Sequence, residues 1–172
     1  MTPRLALVAM LAIAGCAPRA GVPAGDSAAA DPATSVSEFD RPVVTLERTP
    51  CFGSCPVYRV TIDASGMVRF EGKSHVIQLG PATAQIPEAA VDSLLEELRQ
   101  GGYFDMADRY VMDAPDCGQY ATDSPTVITS ATSEGITKRI QHDYGCTDAP
   151  LSLRRLEQRI DQVAGTARWT GR

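Results

Sequence analysis

The chain has 172 residues, 44% of them apolar and 22% charged, a balance that supports one packed domain rather than global disorder. Its formal net charge of -5 argues against a protein held to nucleic acid by a basic surface. No apolar run reaches the roughly 20 residues that a membrane-spanning helix needs.

The N-terminal segment reads as an address. Arg4 precedes an apolar stretch from Leu5 to Gly15, too short to span a bilayer and of the length of a signal-peptide core. The stretch ends Leu11-Ala12-Ile13-Ala14-Gly15-Cys16, which resembles the bacterial lipobox. The resemblance implies cleavage before Cys16, acylation of its sulfur and a membrane anchor, since each buried methylene contributes about 0.8 kcal/mol. Ala17 in place of aspartate favours the outer membrane, facing the periplasm. Residues 1–15 are therefore expected to be a signal peptide, and residues 16–41 a lipidated tether rich in Ala, Pro, Gly and Ser. Such a tether cannot offset its ordering entropy by burial and would reach roughly 25–30 Å as a flexible coil.

Residues 42–170 are expected to form a single α+β domain. Val43-Val44-Thr45-Leu46 is a short β-prone run. From Val57 to Asp63 apolar and polar residues alternate, and after the Ala64-Ser65-Gly66 turn the alternation resumes with Val68 and Phe70, so the pair reads as a hairpin. A further strand is expected over 74–79, stopped by Gly80-Pro81. Pro87 opens a helix whose stripe is Val91, Leu94, Leu95 and Leu98, and Gly101-Gly102 ends it. Tyr103-Phe104 is expected to pack back onto the core, and 105–125 to be a long polar connection. A second hairpin spans 126–133 and 136–143 around Glu134-Gly135. The last helix starts near Pro150, buries Leu153, Leu156, Ile160 and Val163, and leaves Arg154, Arg155 and Arg159 as a solvated face. Trp169 lies beyond it as a cap on the core. The expected architecture is a two-layer sandwich, an antiparallel sheet of five to six strands packed by two amphipathic helices and stapled by disulfides.

With Cys16 taken by lipid, Cys51, Cys55, Cys117 and Cys146 remain, an even number for an oxidising compartment. Four cysteines allow three pairings, and the short spacing favours Cys51–Cys55 with Cys117–Cys146. Chain entropy assigns roughly 3.6 kcal/mol to the longer loop and roughly 2 kcal/mol to the shorter one. The shorter bridge thus invites a reason beyond stability.

The run Thr49-Pro50-Cys51-Phe52-Gly53-Ser54-Cys55-Pro56-Val57-Tyr58 resembles the opening motif of an uncharacterised bacterial family, DUF6438. The resemblance continues through Arg69-Phe70-Glu71-Gly72, Thr122-Asp123-Ser124-Pro125, His142-Asp143-Tyr144-Gly145-Cys146 and Ala149-Pro150-Leu151, to Trp169. It implies an exported protein, often a lipoprotein, and carries no activity, substrate or catalytic residue.

No nucleophile elbow, zinc-protease helix, phosphate loop or dinucleotide fingerprint is present, so no cofactor and no catalytic residue is assigned, and the reading leans away from an enzyme. The first reading is a binding module whose partner is an envelope protein or peptidoglycan. Its candidate loop is Phe52, Gly53, Ser54 and Tyr58, with inward packing of Phe52 favoured over display. The alternative is Cu(I) binding or thiol redox chemistry at Cys51 and Cys55, with His142 as third ligand. The C-x-x-x-C-Pro pattern resembles that of Sco-type copper assembly factors, but here it leads into a strand rather than a helix, and His142 is expected to be a partly exposed strand residue. Asp105, Asp108, Asp113, Asp116 and Asp123 match no EF-hand and read as a solvated acidic loop.

Overall fold

The computed structural model describes residues 41–171. The signal peptide, the acylated Cys16 and the tether expected over residues 1–41 lie outside the described residues, apart from Arg41.

Seven strands form one sheet: β1 (Pro42–Arg48), β2 (Val57–Asp63), β3 (Met67–Ser74), β4 (Gly80–Gln85), β5 (Arg109–Tyr110), β6 (Thr126–Ser133) and β7 (Ile136–Asp143), in the order β4-β3-β2-β1-β6-β7-β5. Three helices accompany them: α1 (Glu88–Gln100), α2 (Leu151–Ala164) and the short α3 (Ala167–Thr170). The mixed α+β class holds, while the sheet is wider than the five to six strands expected. Both hairpins follow their alternation, β2 on β3 and β6 on β7. Gly66 makes the first turn at φ 81, where an added Cβ would meet the Ile86 carbonyl at 2.1 Å.

Two strands differ from expectation. The segment after Ser74 turns at His75, whose φ is 54, and pairing resumes at Gly80. Gly80-Pro81 therefore begins β4 instead of ending a strand. Proline is tolerated because β4 is an edge strand, where a missing N–H need not interrupt a ladder. Within the polar connection, Arg109–Tyr110 adds a two-residue strand parallel to β7.

Pleating decides what is buried. Val44, Leu46, Val60, Ile62, Val68, Phe70, Val127 and Ile140 form one apolar face. Val91, Leu94 and Leu98 of α1 and Leu153, Leu156, Ile160 and Ala164 of α2 complete the same core. Each such large side chain contributes about 1.5–3 kcal/mol when fully buried. Leu95 and Val163, expected on the stripes, are only half-buried. Trp169 closes the core by stacking on Phe70 at 4.8 Å between ring centroids. The expected arginine face is partly engaged: Arg155 is exposed, Arg154 lies 4.2 Å above the Tyr144 ring, and Arg159 pairs with Glu97 of α1 at 2.6 Å.

Cys51 is bonded to Cys55 and Cys117 to Cys146. The second bridge is buried and ties the connection before β6 to the segment after β7. Backbone bonds run beside it, from Asp148 N–H to Cys117 O at 3.1 Å and from Thr147 N–H to Gln119 O at 3.0 Å.

Candidate functional site

The hairpin order places the β1–β2 and β3–β4 connections at one end of the sheet, with the β2–β3 turn at the other. The β1–β2 connection carries the Cys51–Cys55 ring. Thr49 N–H donates to Thr126 O at 3.0 Å, Thr126 N–H donates back to Thr49 Oγ1 at 2.8 Å, and Phe52 N–H donates to Asp123 O at 3.1 Å. Gly53 sits at φ 145, a conformation that favours glycine. The Phe52 side chain stands 89% exposed, contrary to the favoured inward packing. A ring closed through Cys51 and Cys55, with Gly53 in that conformation, turns the backbone so that Phe52 leaves the core. Gly53 and Ser54 are exposed beside it.

Tyr58, the fourth residue of the expected loop, is not part of that display. It belongs to β2 and is 3% exposed, and its hydroxyl donates to Asp161 Oδ1 at 2.6 Å. Asp161 also accepts from Arg48 Nε at 2.9 Å, Arg48 Nη2 at 2.6 Å and Thr166 Oγ1 at 3.0 Å. A carboxylate has about four lone-pair sites, so these four bonds saturate it and leave no lone pair to take a proton from a substrate. Burial opposes the Arg48 charge, but the neighbouring Asp161 carboxylate and the phenols of Tyr144 and Tyr58 outweigh it and hold the guanidinium well above its ordinary pKa. Burial, reinforced by Asp161, also raises the Tyr58 phenol well above its usual value, so it remains a donor.

The network continues inward. Arg48 Nη1 donates to Tyr144 Oη at 3.2 Å, Tyr144 Oη donates to Glu157 Oε2 at 2.9 Å, and His142 Nδ1 lies 2.8 Å from Glu157 Oε1. His142 and Glu157 are each 1% exposed. His142 is therefore a buried residue in phase with Ile140, not a partly exposed one. Its Nε2 has no hydrogen-bond partner among the described residues.

Burial, with the Glu157 charge adding to it, pushes the Tyr144 phenol up to about 12, against about 10 in an unfolded chain. Between these values the folded state keeps a proton that the unfolded state has lost. The contribution is fully present below pH 10 and disappears as pH rises toward 12. Urea midpoints are expected to fall between pH 9 and 11, by up to about 1 kcal/mol per such tyrosine at the upper limit. Tyr144→Phe should flatten that slope, and an identical slope in the variant contradicts the assignment.

Above the Arg48–Asp161 pair lies an open concavity of about 540 Å³, walled by Pro56 on one side and by Gly165, Thr166, Ala167 and Thr170 on the other. Trp169, adjacent in the chain to the lining residue Thr170, accepts from the N–H groups of Ile77 and Gln78 in the β3–β4 connection, each at 3.0 Å. Ile77 is 73% exposed and Leu79 62% exposed. One end of the sheet thus gathers a displayed aromatic ring, two exposed aliphatic side chains and an apolar hollow with a neutralised ion pair at its base.

The remaining candidates fall elsewhere. The sulfurs of Cys51 and Cys55 are joined to each other, whereas Cu(I) ligation would need both as thiolates, and Nδ1 of His142 is already engaged by Glu157. Among the described residues no group of three His, Cys, Asp or Glu side chains is placed to hold a metal ion, in the aspartate-rich connection or anywhere else. Sequence reasoning missed Arg48, Glu157, Asp161 and Thr166. Glu157 carried a signal, since it lies in register with Leu153 and Ile160 on a stripe otherwise apolar.

No curated protein matches the chain. Residues 42–164, nearly the whole folded region, match the family described as Domain of unknown function (DUF6438), and the chain belongs to that family.

Proposed function

We propose that the folded domain is a binding module of the cell envelope, carried on a tether from an acylated Cys16 in the outer membrane and facing the periplasm. The observation that carries the reading is Phe52, 89% exposed on a loop fixed by a short disulfide. A loop closed by a disulfide loses less backbone entropy on binding, and aromatic side chains are enriched at interfaces. The Asp161 carboxylate is saturated by Arg48, Tyr58 and Thr166, which favours a structural role for it over acid–base chemistry. The partner is another protein surface, because the exposed side chains of Phe52, Ile77 and Leu79 offer apolar contact.

A photoreactive amino acid placed at position 52 of the full-length protein in living cells is expected to give a discrete covalent adduct. The same residue at Thr61, on the open polar face of the sheet, should give none. Equal background at both positions contradicts the reading. Phe52→Ala should change stability by no more than about 0.5 kcal/mol, as expected for a surface residue.

A further inference from the structure

We infer that the partner of this surface is a second copy of the same chain, with Phe52 of each copy seated in the concavity of the other. The inference rests on the binding reading above and names its occupant. The projection and the hollow are neighbours on one molecule. Phe52 stands on the same loop as Pro56, and Pro56 forms a wall of the concavity. A twofold axis between two such ends brings each projection to the other's hollow, the self-complementary arrangement of an isologous dimer.

Size and chemistry agree. The hollow, about 540 Å³, lies within the range of pockets that enclose a small ligand, about 300–1,000 Å³. A phenylalanine buries about 150–250 Å² of mostly apolar surface. The wall offers Pro56, Gly165, Ala167 and the methyls of Thr166 and Thr170, and no charge at its base is left unpaired, since Arg48 and Asp161 neutralise each other. An uncharged ring therefore desolvates no isolated ion on entry. Ile77, whose N–H is bonded to Trp169 O of α3, adds an exposed aliphatic side chain beside that helix.

The chain enters β1 at Pro42, which pairs with Asp63 beside the β2–β3 turn, at the end of the sheet opposite Phe52. Seven residues of strand at about 3.4 Å each separate that entry from the Phe52 loop. Copies anchored by acyl chains would share one membrane surface, which raises their effective concentration and lets a small interface suffice. A bilayer as occupant is disfavoured: the exposed apolar residues lack the cluster of four to eight basic side chains that would attract anionic lipid. Lys73 is ion-paired with Glu47, and Arg168 NεH is bonded to Gly165 O.

The test places the photoreactive residue on the hollow, at exposed Ala167, in the full-length protein in its native membrane. The expected product has twice the chain mass, and its crosslinked peptide contains residues from the 49–59 segment of the other copy. Phe52→Asp should reduce that product at least tenfold without altering the melting temperature. An adduct from position 167 to a different protein, or none while position 52 still gives one, overturns the dimer and leaves the binding reading standing. Absence of adducts from both positions overturns both.

Discussion

Glu157→Ala is expected to lower stability by about 2–5 kcal/mol, because it leaves buried hydrogen-bonding groups of His142 and Tyr144 without their partner at about 1–3 kcal/mol each. A domain of ordinary stability has about 5–15 kcal/mol in total, so the variant should melt far below the parent or fail to accumulate. Among the described residues Glu157 is the only hydrogen-bond partner of the His142 ring, and it also accepts from Tyr144. Its removal leaves both nitrogens of a 1% exposed imidazole without a partner. The double variant His142→Leu with Glu157→Leu should be more stable than Glu157→Ala alone, because apolar replacement of both members removes the buried polar groups together. Urea denaturation of the two variants checks this. A loss below about 1 kcal/mol for Glu157→Ala contradicts the account.

Replacing Cys117 and Cys146 with serine carries the second large effect, about 3.6 kcal/mol from restored freedom of the unfolded chain. Both sulfurs are nearly buried, at 3% and 2% exposure, so the new hydroxyls add to the cost. The neighbouring backbone bonds to Thr147 and Asp148 limit it, since they hold the two segments together without the bridge. A fall in melting temperature of about 10 °C or more is expected. Serine at Cys51 and Cys55 should cost less, about 2 kcal/mol, because the closed loop is short. A reversed order of the two pairs contradicts the division of the bridges into a staple and a loop-shaping ring.

The contrast between what the sequence revealed and what it concealed is physical. Strands β2, β3, β6 and β7 and helices α1 and α2 were legible because burial on one side imposes a period of two or 3.6 on a continuous run. Strand β5 has two residues and therefore no period, and its pairing with Gln141 and His142 depends on a chain segment far away in sequence. Strand β4 was hidden by Gly80-Pro81, residues that break a central strand and are tolerated at an edge. His142 was misjudged on polarity although its phase with Ile140 pointed inward, and only Glu157 on α2 makes that position acceptable.

The same reasoning divides the candidate site. The cysteine pairs were legible from number and spacing. The contact of Arg48 with Asp161 was not, because 113 positions separate them and no local pattern links the end of β1 to α2. Phe52 illustrates the opposite case: its hydrophobicity argued for the interior, while the ring closed by Cys51 and Cys55 sends it outward. A large apolar side chain held in solvent by a covalent ring contributes little to the fold, and this is why the functional reading centres on it.

One comparison separates these roles in a single protein. Phe52→Asp in the full-length chain is assessed both by thermal melting and by the yield of the covalent adduct formed in cells from a photoreactive residue at Ser54. An unchanged melting temperature with the adduct lost is the predicted outcome. A drop of several degrees would make Phe52 a structural residue, and an undiminished adduct would mean that the displayed ring takes no part in binding; either result contradicts the account.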